Sequence, residues 1–150
     1  MADAARRLDS RRPIAYLRLM ERRAINPWTW QDAFGFVQAY ELGNAKRTLL
    51  CSGQTSVDAN GTPLHAGDMA AQLKQAIANL ETVLQAGGFD LTDVVRLNYY
   101  TTDVDAFMQA AGAGMGRLIE TNCRPASTLL GVARLFHPAI MVEIEATAMK

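Results

Sequence analysis

Two glutamates stand two positions apart near the C-terminus, in Val142-Glu143-Ile144-Glu145-Ala146. On a strand such residues share one face and lie about 6–7 Å apart. If a second subunit buries one of them, its pKa rises toward the range in which a carboxyl moves protons to and from water. A solvated polar strand edge is the plainer reading of the same pattern. A second candidate is Ser52-Gly53, where a hydroxyl and an approachable backbone follow the apolar run Leu49-Leu50-Cys51. An ordinary turn would look the same.

Other chemistries find little support. His65 and His137 are the only histidines, and neither stands at metal-ligand spacing, so no metal is expected. Ser52 lacks the G-x-S-x-G elbow of a hydrolytic serine, and Gly112-Ala113-Gly114-Met115-Gly116 lacks phosphate-loop spacing. No cofactor is expected. Cys51 and Cys123 read as buried free thiols of a reducing compartment, with a disulfide between them as the alternative.

The elements that position these groups follow from periodicity. Residues 34–41 and 48–52 are strand-like, and the intervening 42–47 read as a hairpin loop. Asp58-Ala59-Asn60-Gly61 is a tight turn. Asp68 is the expected N-cap of a long helix in which Met69, Leu73, Ala76, Ile77, Leu80, Val83 and Leu84 form one stripe, ended by Gly87-Gly88. Residues 94–101 form a strand, and Thr101-Thr102-Asp103 offers caps for a second helix running to about Glu120. Its glycines, Gly112, Gly114 and Gly116, cost about 1 kcal/mol each relative to Ala, so close packing is expected to require them. Strands over 127–135 and 140–149 complete a β-β-α-β-α-β-β order, an α+β layer with helices on one face of the sheet. The other face carries Leu, Met and Tyr among its polar residues and is expected to pack against copies of the chain.

The chain has 150 residues, 49% apolar and 20% charged, the balance of one globular domain. Its net charge is zero, with 15 residues of each sign. Seven arginines in residues 1–23, against Asp3, Asp9 and Glu21, give that segment +4 and leave 24–150 at −4. The reading is a basic arm over 1–23, with a short helix possible only over 13–23, followed by a domain over 24–150. Met20 is an alternative start. The domain has no basic stripe, so nucleic acid is not an expected partner except through the arm. No secretory or membrane-spanning pattern is present, and cytoplasmic is the default location.

The residues also resemble a known family. Leu50-Cys51-Ser52-Gly53-Gln54, Arg124-Pro125-Ala126-Ser127-Thr128, Val132-Ala133-Arg134-Leu135 and the double-glutamate strand are similar, in collinear order, to the Rid proteins, also called YjgF or L-PSP proteins. The resemblance runs from about Ala24 to Met149. It implies a chorismate-mutase-like fold, a barrel-forming homotrimer and three clefts between subunits. Founding members hydrolyse enamines and imines without metal or cofactor; an arginine holds the substrate carboxylate, and a glutamate positions the attacking water.

By this resemblance the glutamate falls on Glu143 and a cleft serine on Ser52, with Gly53 beside it. The arginine's place is Ser127, the cleft tyrosine's Phe36, the helix asparagine's Ala111 and the cysteine's Leu129. Such a cleft resembles that of family subgroups lacking the arginine. Arg124 is expected to be no substitute, since three extended residues place it about 10 Å from Ser127 on the opposite strand face.

Three functions are open on this reading. One is cofactor-independent hydrolysis or tautomerisation of a small imine or enamine without a carboxylate anchor, with Glu143 and Ser52 catalytic and Phe36, Gly53, Ala111, Ser127 and Leu129 binding the substrate. Another is a non-catalytic, metabolite-binding or regulatory trimer. The third, weaker, is RNA binding through the basic arm.

Overall fold

The computed structural model describes residues 20–150. Most of the basic arm, and of the helix considered over 13–23, therefore lies outside the described residues. The architecture is built around helix α1 (Met69–Ala86). Asp68 caps it by accepting a hydrogen bond from the Ala71 N–H at 3.0 Å. At the far end Gly88 takes φ +74°, its N–H bonds the Gln85 carbonyl, and the Phe89 N–H bonds Leu84. This Schellman arrangement satisfies two terminal carbonyls and folds Phe89 back over the core. Of the expected stripe, Met69, Leu73, Ala76, Ile77, Leu80 and Leu84 are buried, and Val83 packs at the margin.

That stripe lies on a four-stranded sheet in the order β3 (Thr48–Thr55), β6 (Val142–Met149), β4 (Val94–Thr101), β5 (Ala126–Gly131). Strand β6 pairs antiparallel with both neighbours, while β4 and β5 run parallel. A parallel pair needs a crossover, supplied here by α2 (Val104–Gly114) and α3 (Gly116–Glu120). Ile144, Ala146 and Ala148 of β6 and Leu97 and Tyr99 of β4 face the helices and are buried. The opposite face carries Arg96, Asn98, Tyr100, Glu143 and Glu145 together with Leu50, 77% exposed, and Leu130.

Five expectations need correction. Residues 21–23 are extended: β1 (Glu21–Ile25) crosses the 23/24 division and pairs antiparallel with β2 (Ala39–Gly43). The loop expected at 42–47 is shorter, 44–47, and joins strands of different sheets instead of closing a hairpin. Strand β3 is claimed by β6, and beyond its start Lys46 and Arg47 bond Lys150. Residues 30–34 form a 3₁₀ turn, and the strand expected over 34–41 begins only at Ala39 and runs to Gly43. The second helix breaks at Met115 into α2 and α3, and the strand expected over 127–135 ends at Gly131.

Close packing does explain one of the three helix glycines. A Cβ on Gly114 would lie 2.7 Å from the Leu73 Cβ and 3.3 Å from the Ala70 carbonyl, so α2 crosses α1 on bare backbone. Gly112 and Gly116 face open space.

Candidate functional site

The candidate residues gather into two groups, one on each side of the sheet. The first is shaped by a β-bulge. Cys51 pairs with Ala146 and Gln54 with Ile144, so Ser52 and Gly53 together lie opposite the single residue Glu145. A bulge of this kind twists the strand and re-aims its side chains. Here it lays the backbone of Gly53 beneath the carboxylate of Glu143: a Cβ on residue 53 would stand 1.7 Å from Glu143 Oε1 and 2.6 Å from its Cδ. Only glycine permits that approach.

The two carboxylates are shifted in opposite directions. Glu145 accepts hydrogen bonds from the Tyr100 hydroxyl at 2.6 Å and from Asn98 Nδ2 at 3.0 Å, which hold it below the usual carboxylate range. Arg96 adds a smaller attraction. Glu143 accepts no hydrogen bond from the described residues, and burial, followed by repulsion from Glu145, pushes its pKa up. Neighbouring carboxyls driven apart in this way suit separate roles, one fixed and ionised, the other ready to exchange a proton.

The second group lines a cavity of about 740 Å³ on the helix side, between the 30–34 turn, α2 and the edge strand β5. Phe36, Ala111, Ser127 and Leu129 all contribute to its wall. Ser127 pairs with Leu97 and Leu129 with Tyr99, which places both on the buried face. Trp30 meets Phe34 edge-on at 6.2 Å and Phe36 at 5.7 Å, forming an aromatic rim. Cys123 is a free thiol in the wall, with its pKa pushed up to about 12 by burial, so it stays protonated and poorly nucleophilic.

Arg124 overturns an expectation. It lines the same cavity as Ser127, because residues 122–125 are not an extended strand: Asn122 is left-handed at φ 51°, and the Cys123 N–H bonds Leu118. The strand parity that placed Arg124 on the opposite face begins only at Ala126. Its guanidinium is already engaged, donating to Asp32 Oδ1 at 2.9 Å. Sequence reasoning missed this pair and the aromatic rim. A usable signal existed for the rim, since both tryptophans and two of the five phenylalanines fall between positions 28 and 36.

Within the single chain the two groups do not meet. Glu143 pairs with Tyr100 on the open face, whereas the cavity lies behind Tyr99 on the other. Among the described residues no three His, Cys, Asp or Glu side chains come together as a metal site, and no helix is long and apolar enough to cross a membrane.

Comparison with known proteins identifies this architecture. The family model described as Endoribonuclease L-PSP matches residues 31–150. The chain belongs to the Rid family. The Rid protein YyfB of Yersinia pestis is 39% identical with a TM-score of 0.77, over 86% of this chain and 98% of its own. The YjgF product of Escherichia coli has a TM-score of 0.62 at 29% identity, over 77% of this chain and 87% of its own. Among relatives compared by sequence, protein DfrA of Myxococcus xanthus is 34% identical over 134 residues, 89% of this chain and 99% of its own. The 2-iminobutanoate/2-iminopropanoate deaminase of E. coli is 30% identical over 116 residues, 77% of this chain and 87% of its own. The α+β layer derived above is thus the Rid fold.

Proposed function

We propose that this Rid protein is a homotrimer that hydrolyses a small imine, or the enamine in equilibrium with it, lacking a carboxylate anchor. The observation that carries the reading is the seating of Glu143: a partly buried carboxylate without a hydrogen-bond donor, laid on the bare backbone of Gly53. A base so placed orients a water and takes its proton as the oxygen attacks the imine carbon. The nitrogen is protonated in the same cycle, and the carbinolamine collapses to a carbonyl compound and ammonia. The Gly53 backbone lies against Glu143, and with Ser52 of the same bulge it would polarise the reacting group. The deaminase activity of the E. coli relative favours imine chemistry over other small-molecule reactions.

The separation of the halves by the sheet favours assembly. Ser52 and Gly53 are on edge strand β3 and Ser127 and Leu129 on edge strand β5. Copies placed edge to edge around a closed ring would face the Glu143 group of one protomer with the cavity of the next, and would cover Leu50. The test is ammonia release from a panel of neutral and carboxylated imines by the parent chain and Glu143→Gln. Turnover of neutral imines that falls at least about a hundredfold in the variant supports the reading. No release above background, or an unchanged rate in Glu143→Gln, overturns it.

A second reading, a binding trimer without turnover, is favoured by the largely apolar wall of the cavity. Ligand-dependent melting across a metabolite set without product formation would select it.

A further inference from the structure

The cavity wall holds one cation and one anion, and they face each other. Arg124 donates through Nη2 to Asp32 Oδ1 at 2.9 Å and more weakly to the Asp32 carbonyl at 3.4 Å. Both residues line the cavity, with Ser127 beside them. The Nε–H of Arg124 is buried away from the cavity space and has no partner among the described residues. The two opposite charges of the wall therefore cancel. The rest is large and apolar: Trp30, Phe34 and Phe36 form the rim, and at Gly112 a side chain is simply absent, with nothing within 4 Å of where a Cβ would stand.

We infer that Asp32 is a specificity-determining residue: by neutralising Arg124 it turns away carboxylates, so that the cavity takes an uncharged aryl-bearing carbonyl compound, or the corresponding imine. The inference rests on the cavity being the substrate-binding half of the site proposed above. A carboxylate entering beside Arg124 meets Asp32 at close range and must displace it to gain a charge-assisted bond. A neutral carbonyl oxygen can accept from the Ser127 hydroxyl of the wall without breaking the ion pair, while its aryl group packs edge-on against the rim in the geometry those rings already adopt. The cavity lies within the usual range for sites that enclose a ligand of this size.

Phenylacetone and phenylpyruvate test the assignment, because they share the aryl group and the ketone and differ as methyl against carboxylate. Each is titrated calorimetrically into the full chain as parent, Asp32→Asn and Asp32→Asn/Arg124→Gln. Asp32→Asn keeps an oxygen acceptor for Arg124 and removes the charge. The parent is expected to bind phenylacetone roughly tenfold or more tighter than phenylpyruvate. Asp32→Asn should tighten phenylpyruvate by about tenfold and change phenylacetone by less than about twofold, and Arg124→Gln in that background should abolish the gain. Equal affinities in the parent, an unchanged phenylpyruvate affinity in Asp32→Asn, a gain that survives Arg124→Gln, or no binding of either ligand overturns the inference. These titrations need no turnover, so a chain that releases no ammonia still decides them. Conversely, ammonia release with failed titrations refutes the specificity role alone.

Discussion

Replacing Gly53 with Ala separates the site from the fold. The new methyl carbon would stand 1.7 Å from Glu143 Oε1, 2.6 Å from Cδ and 2.9 Å from Cγ, all in one flexible side chain. No backbone atom is among these contacts, and Gly53 is not at positive φ, so Ala fits the conformation. The strand survives and the carboxylate moves. Restricting the unfolded chain by Gly→Ala stabilises by about 0.4–1 kcal/mol at a compatible site, a rise of about 1–4 °C in Tm for a domain of this size. Displacing a catalytic group by about 1 Å costs on the order of a hundredfold in rate. Gly53→Ala should therefore melt no lower than the parent yet release ammonia from a neutral imine about a hundredfold more slowly. NMR titration should also show the Glu143 carboxyl returning toward its ordinary pKa as it leaves its partly buried seat. A variant with parental turnover and an unchanged Glu143 titration would refute the argument that the bulge seats the carboxylate.

The two glutamates should respond oppositely to pH. Because burial raises the folded pKa of Glu143, its contribution to stability is full below the unfolded pKa and is lost as pH rises through the folded value. Glu145, lowered by Tyr100 and Asn98, contributes stability that is lost as pH falls. Urea unfolding between about pH 4 and 7 should thus find Glu143→Gln gaining on the parent as pH rises and Glu145→Gln losing ground. The helix glycines should diverge as well: Gly114→Ala drives a methyl into Leu73 and should cost about 1–3 kcal/mol, whereas Gly112→Ala, with open space around it, should gain up to about 1 kcal/mol in the same assay.

What was legible in the sequence was what periodicity controls. The α1 stripe and the alternation along β6 are set by burial on one face, and both appear in the structure with the expected residues inside. Asp68 and Gly88 bounded α1 for local reasons that a linear reading captures. Strand partners were less legible, because pairing is non-local: β2 looked like a partner for β3, but the polar strand Glu21–Ile25 took it through Arg22 over Tyr40 and Arg23 beside Glu41. At the site, types and spacing pointed to Glu143 and Ser52-Gly53, whereas Phe36, Ala111, Ser127 and Leu129 came only from the family resemblance. They missed the bulge that seats Glu143, since a two-against-one register leaves no trace in one strand alone. Arg124 was misplaced because strand parity was extended through a left-handed Asn122.

The central claim is that the Glu143 group and the Ser127 cavity work together across a subunit boundary. Subunit complementation tests it most directly. Glu143→Gln lacks the base, and Ala111→Trp fills the cavity. If each half-site comes from a different copy, a mixed population refolded together from the two inactive variants should recover ammonia release at about a quarter of parental sites, the fraction in which two intact halves meet. Mixed oligomers that form and remain as inactive as either variant alone would contradict the account.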